Sequence, residues 1–135
     1  MNTDFRLPIR IYYEDTDAGG VAYYAGYLRF LERARTEWLR ALGFGQDELM
    51  RERGIAFAVR SLAVEYLKPA RLDDLVEVTT VIESLGRAQV TFRQRVLLAG
   101  EILVDATVRV ACLDIAQGRA AAIPKPIHDK MKALA

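Results

Sequence analysis

The chain has 135 residues, 19 Lys and Arg against 18 Asp and Glu, and 52% hydrophobic residues. That length fits one compact domain over residues 1–135, large enough to bury a core of its own. The near-even charge argues against a dedicated nucleic-acid or anionic-membrane binder, and the single cysteine, Cys112, excludes an internal disulfide.

Residues 1–10 hold no apolar run of export-signal length, and no stretch approaches the roughly 18 apolar residues of a membrane span. With one cysteine, this reads as a reducing, cytoplasmic setting. Residues 6–13 form the first expected strand, because Ile9-Arg10-Ile11-Tyr12-Tyr13 is rich in β-branched and aromatic side chains. A polar, glycine-containing turn follows, Glu14-Asp15-Thr16-Asp17-Ala18-Gly19-Gly20. Tyr27, Phe30, Leu31, Ala34, Trp38 and Leu42 then recur at helical spacing, which predicts a helix over residues 27–42, ~24 Å long. Gly43 is placed to end it in the left-handed conformation. Residues 47–53 read as a short second helix.

From residue 55 the period changes to two. Strands are expected over 55–67, 75–83, 88–98 and 102–113, joined by tight turns as an antiparallel meander. Ile102, Val104, Ala106, Val108 and Val110 share one face of the last strand, with Leu103 on the other. Pro126 opens a short helix over 126–135. One long amphipathic helix beside about five strands predicts an α+β fold of two layers, with the sheet curling over the helix. Open strand edges predict a homodimer at least.

The chemistry concentrates between the first strand and the long helix. The first N–H groups of a helix lack internal acceptors and carry partial positive charge, which suits a developing oxyanion. Asp17 lies just before that terminus and can attack a carbonyl or deprotonate water. Together these are two parts of an acyl-transfer site. The same residues also serve an ordinary capped turn, and spacing leaves both readings standing. Asp15 and Asp17 lack the further ligands of a calcium loop. A lone histidine, His128, removes Ser-His, Cys-His and multi-histidine metal sites from consideration, and Cys112 on an apolar strand reads as core filler. Arg87, beside Gly86 in a turn, is a candidate phosphate contact.

The run Tyr13-Glu14-Asp15-Thr16-Asp17-Ala18-Gly19-Gly20-Val21, followed by Tyr24, Tyr27 and Glu32-Arg33-Ala34-Arg35-Thr36-Glu37, resembles the 4-hydroxybenzoyl-CoA thioesterase family of hotdog proteins. The likeness continues through Arg53-Gly54-Ile55-Ala56-Phe57, Val64-Glu65-Tyr66 and Lys68-Pro69-Ala70-Arg71-Leu72-Asp73-Asp74 to Ile123-Pro124-Lys125. The nearest branch is the Tol–Pal-associated acyl-CoA thioesterases. The resemblance implies a curved, five-stranded antiparallel sheet wrapped around one central helix, paired as dimers and often as dimers of dimers. It implies hydrolysis of an aliphatic or aroyl acyl-CoA, or of an acyl-carrier-protein thioester, with no metal or cofactor. Asp17 matches the family's nucleophile or general base, and the backbone N–H of Tyr24 its oxyanion donor. Glu32, Ala58 and Val59 match residues near the acyl pocket, and Arg87 is the candidate for CoA phosphate. The Tol–Pal-associated branch usually carries histidine where this chain has Tyr24, whereas the aroyl-CoA branch carries tyrosine. A backbone donor survives that exchange, so acyl preference is what it bears on. A dehydratase on the same fold requires a site histidine, which only His128 offers. The non-enzymatic alternative is a CoA-binding or interaction module at an envelope complex.

Overall fold

The computed structural model describes residues 5–135; residues 1–4 of the segment read for an export signal lie outside them. Strand β1 (Phe5–Arg10) leads through a 3-10 turn (Tyr13–Asp15) and a loop into the long helix α1 (Gly26–Ala41). A short helix α2 (Gln46–Glu48) runs into a π turn (Leu49–Arg53). Four long strands follow: β2 (Ile55–Tyr66), β3 (Leu75–Leu85), β4 (Gln89–Leu98) and β5 (Glu101–Asp114). A two-residue strand β6 (Arg119–Ala120) and helix α3 (Lys125–Leu134) complete the described chain.

The strands pair antiparallel in the order β1-β3-β4-β5-β2, with β6 beside the end of β5. The meander β3-β4-β5 is the centre, and the two strands that flank α1 in sequence form the edges. The apolar stripe of α1 explains why it lies in the sheet's hollow. Tyr27, Phe30, Leu31, Ala34, Trp38 and Leu39 are buried in one cluster with Val76 and Val78 of β3, Phe92 and Val96 of β4, and Val104 and Val108 of β5. Trp38 meets Phe92 edge to face, ring centroids 5.0 Å apart. The helix ends in a Schellman motif: Gly43 has φ 101°, its N–H reaches Arg40 O, and the Phe44 N–H reaches Leu39 O. Ile127 and Met131 of α3 add to the same core. This is the α+β hotdog architecture expected, with the small β6 added to the five long strands.

Three expectations are corrected. The four long strands are not one meander: only β3, β4 and β5 are consecutive neighbours, and β2 pairs with β5 at the far edge, because the 67–74 connection crosses the β1–α1 loop at Val21 and Arg71 instead of turning tightly. The first strand stops at Arg10 rather than Tyr13, because the Tyr12 N–H turns to the Asp15 carboxylate at 2.8 Å instead of a strand partner. In β5 the inward residue is Leu103, not Ile102. The β4–β5 register shifts between Val96 and Leu97, so that Val96 pairs with Val104 but Leu97 with Ile102. That bulge brings Leu103 into the core and leaves Ile102 beside Arg93 and Arg95.

Candidate active site

The loop between β1 and α1 is folded by its own backbone. Thr16 and Ala22 form an antiparallel bridge, the Asp17 N–H donates to Val21 O at 2.9 Å, and the Gly20 N–H donates to Asp17 O at 3.0 Å. Gly20 sits at φ 79°, which explains a glycine there. The segment between β2 and β3 straps this loop from outside. Val21 bridges Arg71, the Ala22 N–H donates to Ala70 O at 2.8 Å, and the Ala70 N–H donates to the Tyr27 hydroxyl at 3.0 Å. Thus the 68–74 motif and the 13–27 motif form one unit, anchored to α1 through a buried tyrosine.

The two aspartates of the motif have different tasks. Asp15 is buried: its Oδ2 accepts the Tyr12 N–H at 2.8 Å, and Arg29 lies 3.7 Å from its Oδ1. Its carbonyl also accepts the Tyr23 N–H. Asp15 therefore holds the loop together. Asp17 is exposed, with Oδ1 accepting the Gly19 N–H at 2.8 Å and Oδ2 free of partners among the described residues. A β-carbon at position 19 would come within 3.3 Å of that Oδ1, so the glycine leaves the carboxylate room.

Helix α1 starts with Ala25 as N-cap and no side-chain cap. The N–H groups of Gly26, Tyr27 and Leu28 turn back to the carbonyls of Tyr23, Tyr24 and Ala25. Those of Tyr24 and Ala25 donate to no acceptor among the described residues. An uncapped helix start with two donors that lack acceptors suits an oxyanion.

Aromatic rings wall this end of the helix. Tyr24 lies 4.7 Å from Tyr23 and 5.9 Å from Tyr66 of β2, and Tyr66 lies 5.8 Å from Tyr27. A hydrogen bond with Tyr24 pushes the Tyr23 phenol above its ordinary pKa, and burial pushes up Tyr27 and Tyr66. All three stay neutral near pH 7 and present hydroxyls rather than phenolates.

Farther along α1, a cavity of about 280 Å³ opens between the helix and β2, β4 and β5. It brings Glu32, Ala58 and Val59 together over an apolar lining of Trp38, Phe57 and Phe92. A shallower groove of about 260 Å³ continues from Glu32 and Val59 toward Leu28, on the α1 side nearer the loop. Arg87 belongs elsewhere: it lies in the β3–β4 turn, in a third hollow beside Lys125 and His128 of α3. His128 is there engaged through Nε2 with Gly86 O at 3.2 Å.

Arg35, in the cavity lining, and Gln94, bonded to it, escape sequence reading. Gln94 is completely buried, and its amide donates to Leu31 O at 3.0 Å and Thr80 Oγ1 at 2.9 Å. Its Oε1 accepts Arg35 Nη1 at 2.9 Å. The signal was a glutamine interrupting the apolar series Val90, Phe92, Val96.

This fold and loop are shared with known proteins. The model of the Thioesterase-like superfamily matches residues 12–131, and the chain belongs to that family. Among curated relatives, acyl-CoA thioesterase YbgC of Haemophilus influenzae is 46% identical over 127 residues, covering 94% of this chain and 93% of that protein. Acyl-CoA thioester hydrolase YbgC of Escherichia coli O157:H7 is 50% identical over 134 residues, covering 98% and 99%. Among solved structures, a probable thioesterase from Bartonella henselae superposes with a TM-score of 0.86 at 34% identity, covering 90% of this chain and all of that one.

Proposed function

We propose that this chain hydrolyses acyl-CoA thioesters, with Asp17 as the reacting carboxylate and the start of α1 as the oxyanion site. The observation that carries the reading is the pairing, across one stapled loop, of a carboxylate oxygen without a partner and two backbone donors without acceptors. The thioester carbonyl oxygen rests against the N–H groups of Tyr24 and Ala25. Asp17 Oδ2 then attacks the carbonyl carbon, or takes a proton from the water that does. The tetrahedral oxyanion is held by the two donors, the C–S bond breaks, and the CoA thiolate leaves and is protonated. In the attack route, water opens the resulting anhydride and restores Asp17. Neither route requires a metal or redox group.

The acyl chain runs along α1 into the cavity of Glu32, Ala58 and Val59. CoA reaches the surface; Arg87, beyond the end of β3 away from the loop, meets a phosphate there only where CoA extends to that separate hollow. Two copies complete the site. The edge strand β2 leaves Val59, Leu62 and Tyr66 exposed, facing the exposed Leu28 of α1 across the groove, so a second copy covers this wall. Dimers of dimers and a cytoplasmic location fit the same reading; no helix among the described residues is long and apolar enough to cross a membrane.

The test is thiol release from short-chain, long-chain and aroyl-CoA substrates. Turnover of at least one series is expected, and the preferred acyl group fixes what Tyr24 contributes. No release from any CoA or acyl-carrier-protein thioester, together with tight CoA binding, would overturn it in favour of a binding module.

A further inference from the structure

The cavity proposed for the acyl chain contains a cation that no carboxylate among the described residues pairs with directly. Arg35 projects from α1 into the gap between helix and sheet, in a lining that holds Glu32 and Gln46 beside the apolar Trp38, Phe57, Val90 and Phe92. It lines both the deep cavity and the groove leading toward the loop. Its single hydrogen bond among the described residues is to Gln94 Oε1, and no carboxylate forms an ion pair with it. Glu32, one turn earlier on α1, is exposed and acts on it only at longer range. Burial pulls the guanidinium below its ordinary pKa, although arginine remains charged.

Burying a charge in such a lining is costly unless something pairs with it. The cost is not an accident of a loose side chain. Gln94 is pinned by Leu31 O and Thr80 Oγ1, so its amide orientation is fixed and its oxygen faces Arg35. The fold thus invests a fully buried amide in holding one end of the guanidinium. Among the described residues the remaining N–H groups have no acceptor, and the side chain lines the cavity.

We infer that Arg35 is a specificity-determining residue that receives an oxyanion at the far end of the acyl chain, so that the preferred substrates are ω-carboxyacyl thioesters rather than plain fatty acyl ones. This rests on the thioesterase reading above. Arg35 lies roughly 14 Å along the helix axis from Gly26, so a chain with its carbonyl at the helix start extends along α1 to meet the guanidinium. A charge-assisted, two-pronged bond to a carboxylate is the pairing that arginine geometry favours.

The experiment compares kcat/KM for three matched pairs: suberoyl- with octanoyl-CoA, sebacoyl- with decanoyl-CoA, and dodecanedioyl- with dodecanoyl-CoA. In the wild type, at least one dicarboxylic member is expected to exceed its partner by roughly tenfold or more, carried mainly by KM. In Arg35→Met that ratio should fall to about one or below, and in Arg35→Lys it should be partly restored. A merely structural arginine would change both members of a pair alike. Equal or better turnover of every plain member by the wild type overturns the inference while leaving the thioesterase intact. Failure to hydrolyse any member would instead count against the thioesterase reading itself. The wild-type ratios decide the matter even if Arg35→Met does not fold.

Discussion

At the level of single residues, the site depends on a division of labour between adjacent carboxylates. Asp15 is bonded to the Tyr12 N–H and faces Arg29, whereas Asp17, the proposed reacting carboxylate, keeps Oδ2 without a partner among the described residues. Tyr27 plays a comparable supporting part, because its buried hydroxyl is the only acceptor shown for the Ala70 N–H. Tyr27→Phe keeps the ring packing against Phe30 and Tyr66 but strands that donor. A buried N–H without a partner costs about 1–3 kcal/mol. Equilibrium urea unfolding at fixed protein concentration should show a loss of that size; a change within error would mean that water or a relaxed strap replaces the bond.

Among the elements, β2 is the one whose sequence and surroundings disagree most. It alternates like a half-buried strand, yet from Val59 to Ala63 it is exposed in the single chain. Val59, Leu62 and Ala63 are apolar in that stretch, and in the proposed dimer a second copy covers them. Leu62→Glu places a charge on that wall, near Glu32 in the same groove. Light scattering should find the wild type dimeric and this variant monomeric, since burying a carboxylate in an apolar contact opposes association. A Leu62→Glu dimer as stable as the wild type would place the interface elsewhere.

The long elements were legible because their periods were strong. Helix α1 differs from the expected 27–42 by a residue at each end, and Gly43 stops it as its backbone freedom suggested. What stayed hidden depended on contacts distant in sequence. Tyr12 and Tyr13 have strand propensity, but the Asp15 carboxylate captures the backbone first. Leu103 and Ile102 exchange faces because of a bulge that no alternation pattern records. Gln94 looked like an interruption in a core strand, and only the helix packed above it supplies Arg35 and Leu31 O as partners. The loop motif itself was readable. The role of 68–74 as its strap was not, since Val21 and Arg71 meet only when β3 returns past β1.

For the molecule as a whole, the sheet holds one helix in its hollow and uses that helix twice. Its buried stripe makes the core, and its uncapped start is the proposed oxyanion site. The cavity proposed for the acyl chain lies between that helix and β2, β4 and β5. Function and fold therefore share the same elements, and a change that removes chemistry without disturbing packing has to fall on an exposed group. Asp17 is such a group. The most direct measurement is thiol release by Asp17→Asn beside the wild type on the best acyl-CoA, with circular dichroism of both. The account predicts an unchanged spectrum and a fall in kcat of roughly a hundred- to ten-thousandfold. A folded Asp17→Asn enzyme with near-full turnover would contradict it, and the reacting carboxylate would have to be sought elsewhere in the site.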